Sequence, residues 1–204
     1  MSDRQKGLID AFKTTIPNAD IRYCCRHIWT NFKGKFPGVV YKEHFWKAAR
    51  SSTVHHFNIH MATIKELNED AFKYLSEIPA QHWSRHAFTS ARKSGMLLNN
   101  CCESFNNVLR KARSKPILQL MEWIRRYVIQ RCCAKREGLK IFEGVIMPSV
   151  VKMVHMGLKE ASAMRINQAY LNEFEVDHED DTYVVNLENR TCVCYKWTLM
   201  GIPC

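Results

Sequence analysis

The sequence contains no run of apolar residues approaching the ~18 residues that a bilayer-spanning helix needs. Its first ten residues, MSDRQKGLID, are polar and lack the apolar stretch of a signal peptide. It also lacks internal repeats and low-complexity tracts. These absences exclude the membrane-spanning, signal-peptide and repeat classes. We expect a soluble, intracellular chain without a membrane partner.

The composition instead predicts a folded and basic protein. Hydrophobic residues make up 46% of the 204 residues, enough for one substantial domain plus an appendage. The formal net charge is +10, and a basic intracellular protein most often meets a polyanion, of which nucleic acid is the commonest. The alternative is a mildly basic enzyme with no nucleic-acid partner.

The charge is unevenly distributed along the chain. Residues 104–140 hold ten Lys or Arg and two acids, whereas residues 171–181 hold six acids and no Lys or Arg. This reversal predicts a domain boundary near residue 168.

Most of the chain has the pattern of helices. Helices are expected to about Thr15, from Cys25 to Phe32, from about Cys102 to Arg113, from Pro116 to about Gly138 and from Pro148 to Ile166, with two or three more between Val39 and Ser84. Ile21–Tyr23 is a short strand candidate, and two strands at 170–176 and 182–187 flank an acidic turn. The predicted fold class is therefore α+β and predominantly α-helical.

Nine cysteines are many for an intracellular chain. Six form adjacent pairs (Cys24-Cys25, Cys101-Cys102 and Cys132-Cys133), which we interpret mainly as small apolar core residues. The other three lie in the last fourteen residues, TCVCYKWTLMGIPC, as a Cys-x-Cys pair followed by a third cysteine.

This tail has the spacing of a zinc site. Cys192, Cys194 and Cys204 supply three thiolates, whereas a structural zinc ion usually takes four ligands. The alternative is three packed thiols. Because the chain ends inside this pattern, we expect a fragment or truncated gene product, with weak zinc affinity unless a partner or water supplies the fourth ligand.

A second candidate site lies on the helix that begins near Cys102. Glu103 shares one face with Asn106, Asn107 and Arg110, and a carboxylate among such groups suits a divalent metal beside a phosphate backbone. The alternative is an ordinary amphipathic helix with an acid in its first turn.

Three further features each have a plain alternative. Asp3 is a candidate acid that on its own fits a helix N-cap. The motif Cys24-x-x-His27 fits two metal ligands or a buried thiol beside a hydrogen-bonded imidazole. The basic run Arg110, Lys111, Arg113 and Lys115 fits a DNA-binding surface or a solvated face.

Several stretches together resemble one family. The segments SDRQKGLIDAF, PNADIRYCCRHIWTNF and NNCCESFNNVLRKARSKPILQLMEWIRR resemble parts of plant Mutator-like transposases, and the tail resembles the start of the SWIM-type zinc finger of that family. The resemblance covers nearly the whole chain in the right order. It implies a partial RNase H-like transposase domain with a helical insertion over residues 1–167. A short β-hairpin and an incomplete zinc knuckle would follow over residues 168–204.

The resemblance also implies roles for individual residues. Asp3 matches the second of three catalytic acids and Glu103 the third, and Cys24 with His27 matches the Cys-x-x-His motif between them. Cys192, Cys194 and Cys204 match the first three zinc ligands. The first acid belongs on a strand upstream of this chain, and the last zinc ligand, a His, two residues beyond Cys204.

The function implied is DNA cut-and-paste transposition in the nucleus. A complete relative would hold two Mg²⁺ ions with three carboxylates. With two acids, we expect a transposase-derived chain that does not cleave DNA alone. The alternatives are a non-catalytic, zinc-dependent module that binds nucleic acid or protein, or a chain with no stable fold. A homo-oligomer or another protein partner fits both the transposase-derived chain and the zinc-dependent module.

Overall fold

A computed structural model describes residues 1–3 and 7–204 of the chain. The protein is α+β, about 57% helical with one small antiparallel sheet of four strands, as the sequence predicted at this coarse level. None of the helices in these residues combines the length and hydropathy required to cross a bilayer.

Nine α-helices and three short 3₁₀ turns are present in the described residues. The helices are α1 Leu8–Thr15, α2 Cys25–Lys35, α3 Val39–Arg50, α4 Val54–Leu67, α5 Glu69–Ser76, α6 Asn100–Leu109, α7 Ile117–Lys140, α8 Pro148–Ala161 and α9 Lys196–Met200. Side-chain caps explain two of the boundaries, because Thr53 accepts from the backbone of His56 and Asn68 accepts from that of Ala71. Pro116 immediately precedes α7, where its fixed φ favours helix initiation.

Two predicted helices end earlier than expected, the first of them α6, which ends at Leu109 rather than near Arg113. Helix α8 ends at Ala161, and Arg165 and Ile166, where the helix was expected to end, belong instead to strand β1, Arg165–Tyr170. The reason is pairing with the next segment of the chain, since β1 forms an antiparallel hairpin with strand β2, Glu173–His178. The predicted boundary near residue 168 falls inside β1.

The sheet has the order β1-β2-β3-β4, with β3 at Asp181–Asn186 and β4 at Thr191–Cys192. The predicted hairpin is its centre, because β2 pairs antiparallel with β3 and places Phe174 opposite Val185 and Val176 opposite Tyr183. These four side chains are half-buried on one face, whereas Glu173, Glu175 and Val184 are exposed on the other. The sheet thus has one apolar and one solvated face.

The chain divides into two compact units. Unit 1 comprises Met1–Leu98 with Lys152–Cys204, and unit 2 comprises Asn99–Val151. Unit 1 contains the sheet and the helices from α1 to α5, and unit 2 contains α6 and α7.

The core of unit 1 is aromatic. Phe32, Phe45 and Trp83 are essentially inaccessible, and the rings of Phe45 and Trp83 stack at 5.4 Å with an interplanar angle of 3°. Burial of each such ring contributes about 1.5–3 kcal/mol to folding. Cys25 lies in this core, and burial raises the pKa of its thiol to about 12. Cys24 is also buried, so both residues of this pair are inaccessible to solvent as predicted.

Unit 2 buries far less apolar surface. Helix α7 has no buried residue, and Ile117, Leu118 and Met121 are each more than half exposed. The interpretation of Cys101, Cys102, Cys132 and Cys133 as core residues is wrong, because all four are exposed on α6 and α7. Hydropathy alone made them core candidates, but these helices have too little packing to bury them.

Candidate metal centre

The three tail cysteines are positioned by the end of the sheet and by α9. Cys192 lies on β4 opposite Val185, and the next backbone N–H, that of Val193, donates to the carbonyl of Val184 at 3.0 Å. The chain then turns at Tyr195, which has a left-handed φ of 65°, into the five-residue helix α9. Gly201, with φ of 73°, ends α9, and Cys204 follows three residues later. Glycine adopts this conformation without the penalty that a Cβ atom brings.

This path gathers the three sulfur atoms into one cluster. The Sγ atoms of Cys192, Cys194 and Cys204 lie within 4.8 Å of one another, and the first two residues are buried. In a tetrahedral zinc–thiolate site, Zn–S bonds of about 2.3 Å place the sulfurs about 3.8 Å apart, which is within this limit. The backbone N–H of Cys194 also donates to Sγ of Cys192 at 3.4 Å, which favours the thiolate form that a metal requires.

The three thiols share their protons unequally. Hydrogen bonds from Cys192 and Cys204 lower the pKa of Cys194, which favours the thiolate form at this sulfur. The pKa of Cys192 is raised, mainly because its thiol donates to Cys194. Hydrogen bonding with Cys192 lowers the pKa of Cys204, but hydrogen bonding with Cys194 and burial outweigh it, so the net shift is upward. The hydrogen bonds within the cluster therefore favour negative charge on the sulfur of Cys194.

These donors fit a soft divalent cation such as zinc. Three clustered sulfurs, among which Cys194 has a lowered pKa, supply three of the four ligands of a structural zinc site. Within residues 1–3 and 7–204, the cluster has no fourth Cys, His or carboxylate ligand inside the same distance. The three cysteines therefore form a possible metal-binding group, which is consistent with the predicted zinc cofactor.

A cavity of about 690 Å³ adjoins the cluster within unit 1. Its apolar wall is the inner sheet face with Phe174, Val176 and Val185, and all three cluster cysteines contribute to its lining. At the rim, Nε2 of His56 lies 2.9 Å from Oδ2 of Asp181, which also accepts from the hydroxyl of Tyr183 at 3.0 Å. This contact joins α4 to β3.

The sequence did not single out this contact. His56 follows His55 in a stretch with no motif of its own, and Asp181 is one of the six acids of residues 171–181. The two residues are 125 positions apart, and no local pattern pairs them.

Asp181 gives a testable pH dependence. The hydrogen bond from Tyr183, together with the nearby His56, lowers its pKa below 3.8. A lowered carboxyl pKa stabilises the fold above the unfolded-state pKa, and this stabilisation disappears as the pH falls through the folded-state pKa. We expect Asp181→Asn to lower the melting temperature at pH 6 by about 2–4 °C, since a pair one-third exposed contributes little.

Thermal unfolding followed by circular dichroism between pH 2 and 7 measures this effect. The difference between the parent chain and Asp181→Asn should shrink below pH 4, because the carboxyl is then increasingly protonated in both folded and unfolded states. Asp180→Asn, at the exposed neighbouring position, is the control. A difference that persists unchanged at pH 2, or an equal loss in Asp180→Asn, would contradict the assignment.

The other candidate residues lie in both units. In unit 1, Asp3 follows Ser2, whose backbone forms an isolated bridge with Tyr23 in the predicted strand segment. The ligand atoms of Cys24 and His27 lie within 4.8 Å of each other at the start of α2, as the Cys-x-x-His spacing requires. Their metal role stays a prediction.

In unit 2, Glu103 is half-buried in the first turn of α6. Phe105, Val108 and Leu109 are half-buried, whereas Asn106 and Arg110 are exposed, as the amphipathic pattern predicted. The basic residues Arg110, Lys111, Arg113 and Lys115 are all exposed between α6 and α7. Asp3 and Glu103 lie in different units, so their shared divalent-metal pocket stays a prediction.

Comparison with known proteins does not test the resemblance given by the sequence motifs. No protein-family model, curated protein or solved structure matches this chain.

Proposed function

We propose that the chain is a transposase-derived, DNA-binding protein with a zinc-stabilised knuckle. Residues 1–167 would be a partial RNase H-like domain with a helical insertion, and residues 168–204 the hairpin and the SWIM-type knuckle. The observation that carries this proposal is the clustering of Cys192, Cys194 and Cys204 within 4.8 Å, because these residues match the zinc ligands of the family. Zinc held there would cross-link β4 to the segment after α9, so its binding energy would be folding energy.

The basic segment between α6 and α7 supports the DNA-binding part of the proposal. In the described chain, no acid forms an ion pair with the exposed cations Arg110, Lys111, Arg113 and Lys115. By contrast, both Arg125 and Arg126 donate to Glu122, and these bonds lower the Glu122 pKa to about 2. Unpaired cations on an exposed turn are the groups expected to contact phosphates. A nuclear location and a DNA partner follow from this proposal.

The residues expected for catalysis form the least complete of the sites implied by the resemblance. The resemblance identifies Asp3 and Glu103 as two of the three acids that hold Mg²⁺ in a complete relative. Two carboxylates leave the two-metal arrangement short of a bridging or flanking ligand. We therefore propose that the 204-residue chain binds DNA without cleaving it.

A nicking assay tests the catalytic proposal. Purified protein is incubated with a supercoiled plasmid, a DNA hairpin or a terminal repeat in Mg²⁺ or Mn²⁺, and strand breaks are measured beside Glu103→Gln. We expect no cleavage above the level of Glu103→Gln, because removal of one acid changes nothing in an incomplete site. Robust nicking that Glu103→Gln abolishes would show that the site is complete and the chain a nuclease.

A second candidate is a zinc-dependent module that binds nucleic acid or protein and descends from no nuclease. The exposed apolar residues of α7, such as Leu118 at 81%, favour a protein contact, including a second copy of the chain. Mn²⁺-induced broadening in NMR spectra distinguishes the two. Simultaneous broadening around Asp3 and around Glu103 favours nuclease ancestry, and its absence at both favours the module.

A further inference from the structure

Helix α9 joins the cysteine cluster to the helical core of unit 1. Leu199 on α9 is only 1% exposed and belongs to the same cluster of buried residues as Phe45, Leu75 and Trp83. The helix therefore inserts into a core built mainly from residues more than 100 positions earlier in the chain.

Two hydrogen bonds hold α9 at this place. The hydroxyl of Tyr195 donates to the carbonyl of Phe88 at 2.7 Å, and Nζ of Lys93 donates to the carbonyl of Thr198 at 3.0 Å. The packing beside them is close, since a Cβ atom on the buried Gly95 would lie 2.9 Å from Sδ of Met200. The segment 88–97 thus fits against α9 by both polar and apolar contacts.

Tyr195 occupies the decisive position in this connection. It directly follows Cys194, and its backbone N–H donates to the carbonyl of Cys192 at 2.9 Å. Its φ of 65° is unfavourable for a residue with a bulky side chain, so the surrounding contacts must hold it. Its side chain reaches the helical core while its backbone shapes the turn between two of the sulfurs.

We infer that Tyr195 is a positioning residue that couples metal binding at the cysteine cluster to the stability of the helical core of unit 1. The coupling rests on the proposed metal site and goes beyond it, because it assigns the affinity of the site partly to Phe88 and Gly95 in the core. The linkage is reciprocal. A bound metal that favours the turn at Tyr195 stabilises the helices of unit 1. In return, a less stable helical core lowers the affinity of the cysteine cluster for the metal.

The test compares Tyr195→Phe with Tyr170→Phe, which removes the same hydroxyl from an exposed residue of β1. Co²⁺ serves as the probe, because its thiolate absorption bands report binding directly, and hydrogen exchange reports the stability of α2–α5. In the parent chain, Co²⁺ should slow exchange in α2–α5 as well as in residues 165–204. Tyr195→Phe should weaken Co²⁺ binding about fivefold, the effect of one net hydrogen bond, and reduce the Co²⁺-dependent protection of the helices. Tyr170→Phe should behave as the parent.

Each result decides the inference. Protection confined to residues 165–204, or equal behaviour of the two Phe variants, would overturn the coupling while leaving the metal site intact. Absence of thiolate bands in the parent chain would overturn the metal site and the coupling together. A Leu199→Ala variant tests the apolar part of the connection. If it retains Co²⁺ bands but loses long-range protection in α2–α5, the coupling is supported, and unchanged protection would count against it.

Discussion

Replacing Cys194 by serine is expected to weaken binding of zinc or Co²⁺ by more than about 100-fold, the largest effect of any single substitution in the chain. Losses of 10- to 100-fold are typical when an outer partner of a metal ligand is removed, and removal of a ligand itself should cost more. Cys194 is the best choice because it is buried in the cluster and because hydrogen bonds from Cys192 and Cys204 lower its pKa. Serine keeps the size of the side chain but is protonated at neutral pH and is a poor zinc ligand.

Competition with a coloured chelator measures zinc affinity, and the thiolate bands of Co²⁺ give an independent value. The matched control is Cys132→Ser, which removes an exposed thiol from α7. Cys132→Ser should bind zinc as the parent does. Equal affinity in the parent and in Cys194→Ser would mean that the three tail cysteines are packed thiols rather than ligands. An equal loss in both variants would indicate non-specific binding to thiols.

The parts of the fold that depend on local signals were predictable. Pro116 and the apolar spacing after it predicted the first residue of α7 to within one position. The two strands around the acidic turn follow from alternation, and the Cys-x-Cys spacing led to the sulfur cluster. Each of these features is encoded within about fifteen consecutive residues, where propensity and spacing carry the information.

The parts that depend on contacts with another segment of the chain were not predictable in this way. Arg165 and Ile166 were expected to end helix α8, yet they begin β1 because β2 offers a pairing edge. Adjacent cysteines have the same hydropathy at Cys24-Cys25 and at Cys132-Cys133, but only the former pair meets a core dense enough to bury it. The hydrogen bond from the hydroxyl of Tyr195 to the carbonyl of Phe88 joins residues 107 positions apart. Such contacts arise from tertiary packing, which a local pattern does not specify.

Charge reversal in the basic segment is expected to have the second large effect. We predict that replacing Arg110, Lys111, Arg113 and Lys115 together by glutamate abolishes measurable binding to duplex DNA at 150 mM salt. All four side chains are exposed, and in the described chain none is neutralised by an ion pair with an acid. If each contacts one phosphate, the parent should lose affinity with a slope of about −3.6 in log K against log salt, or about 150-fold between 50 and 200 mM.

Fluorescence anisotropy with a short labelled duplex, titrated at several salt concentrations, measures both the affinity and the slope. A variant with four glutamines at the same positions should retain weak binding at low salt with a much smaller slope, because it lacks the cations without adding repulsion. The control reverses four exposed lysines outside the segment, Lys13, Lys33, Lys42 and Lys159, and changes the net charge by the same amount. If the control loses as much affinity as the test variant, binding follows the overall charge of +10 and the segment is a solvated face. If only the test variant loses affinity, phosphate contacts are localised to the turn between α6 and α7, beside the helix that carries Glu103.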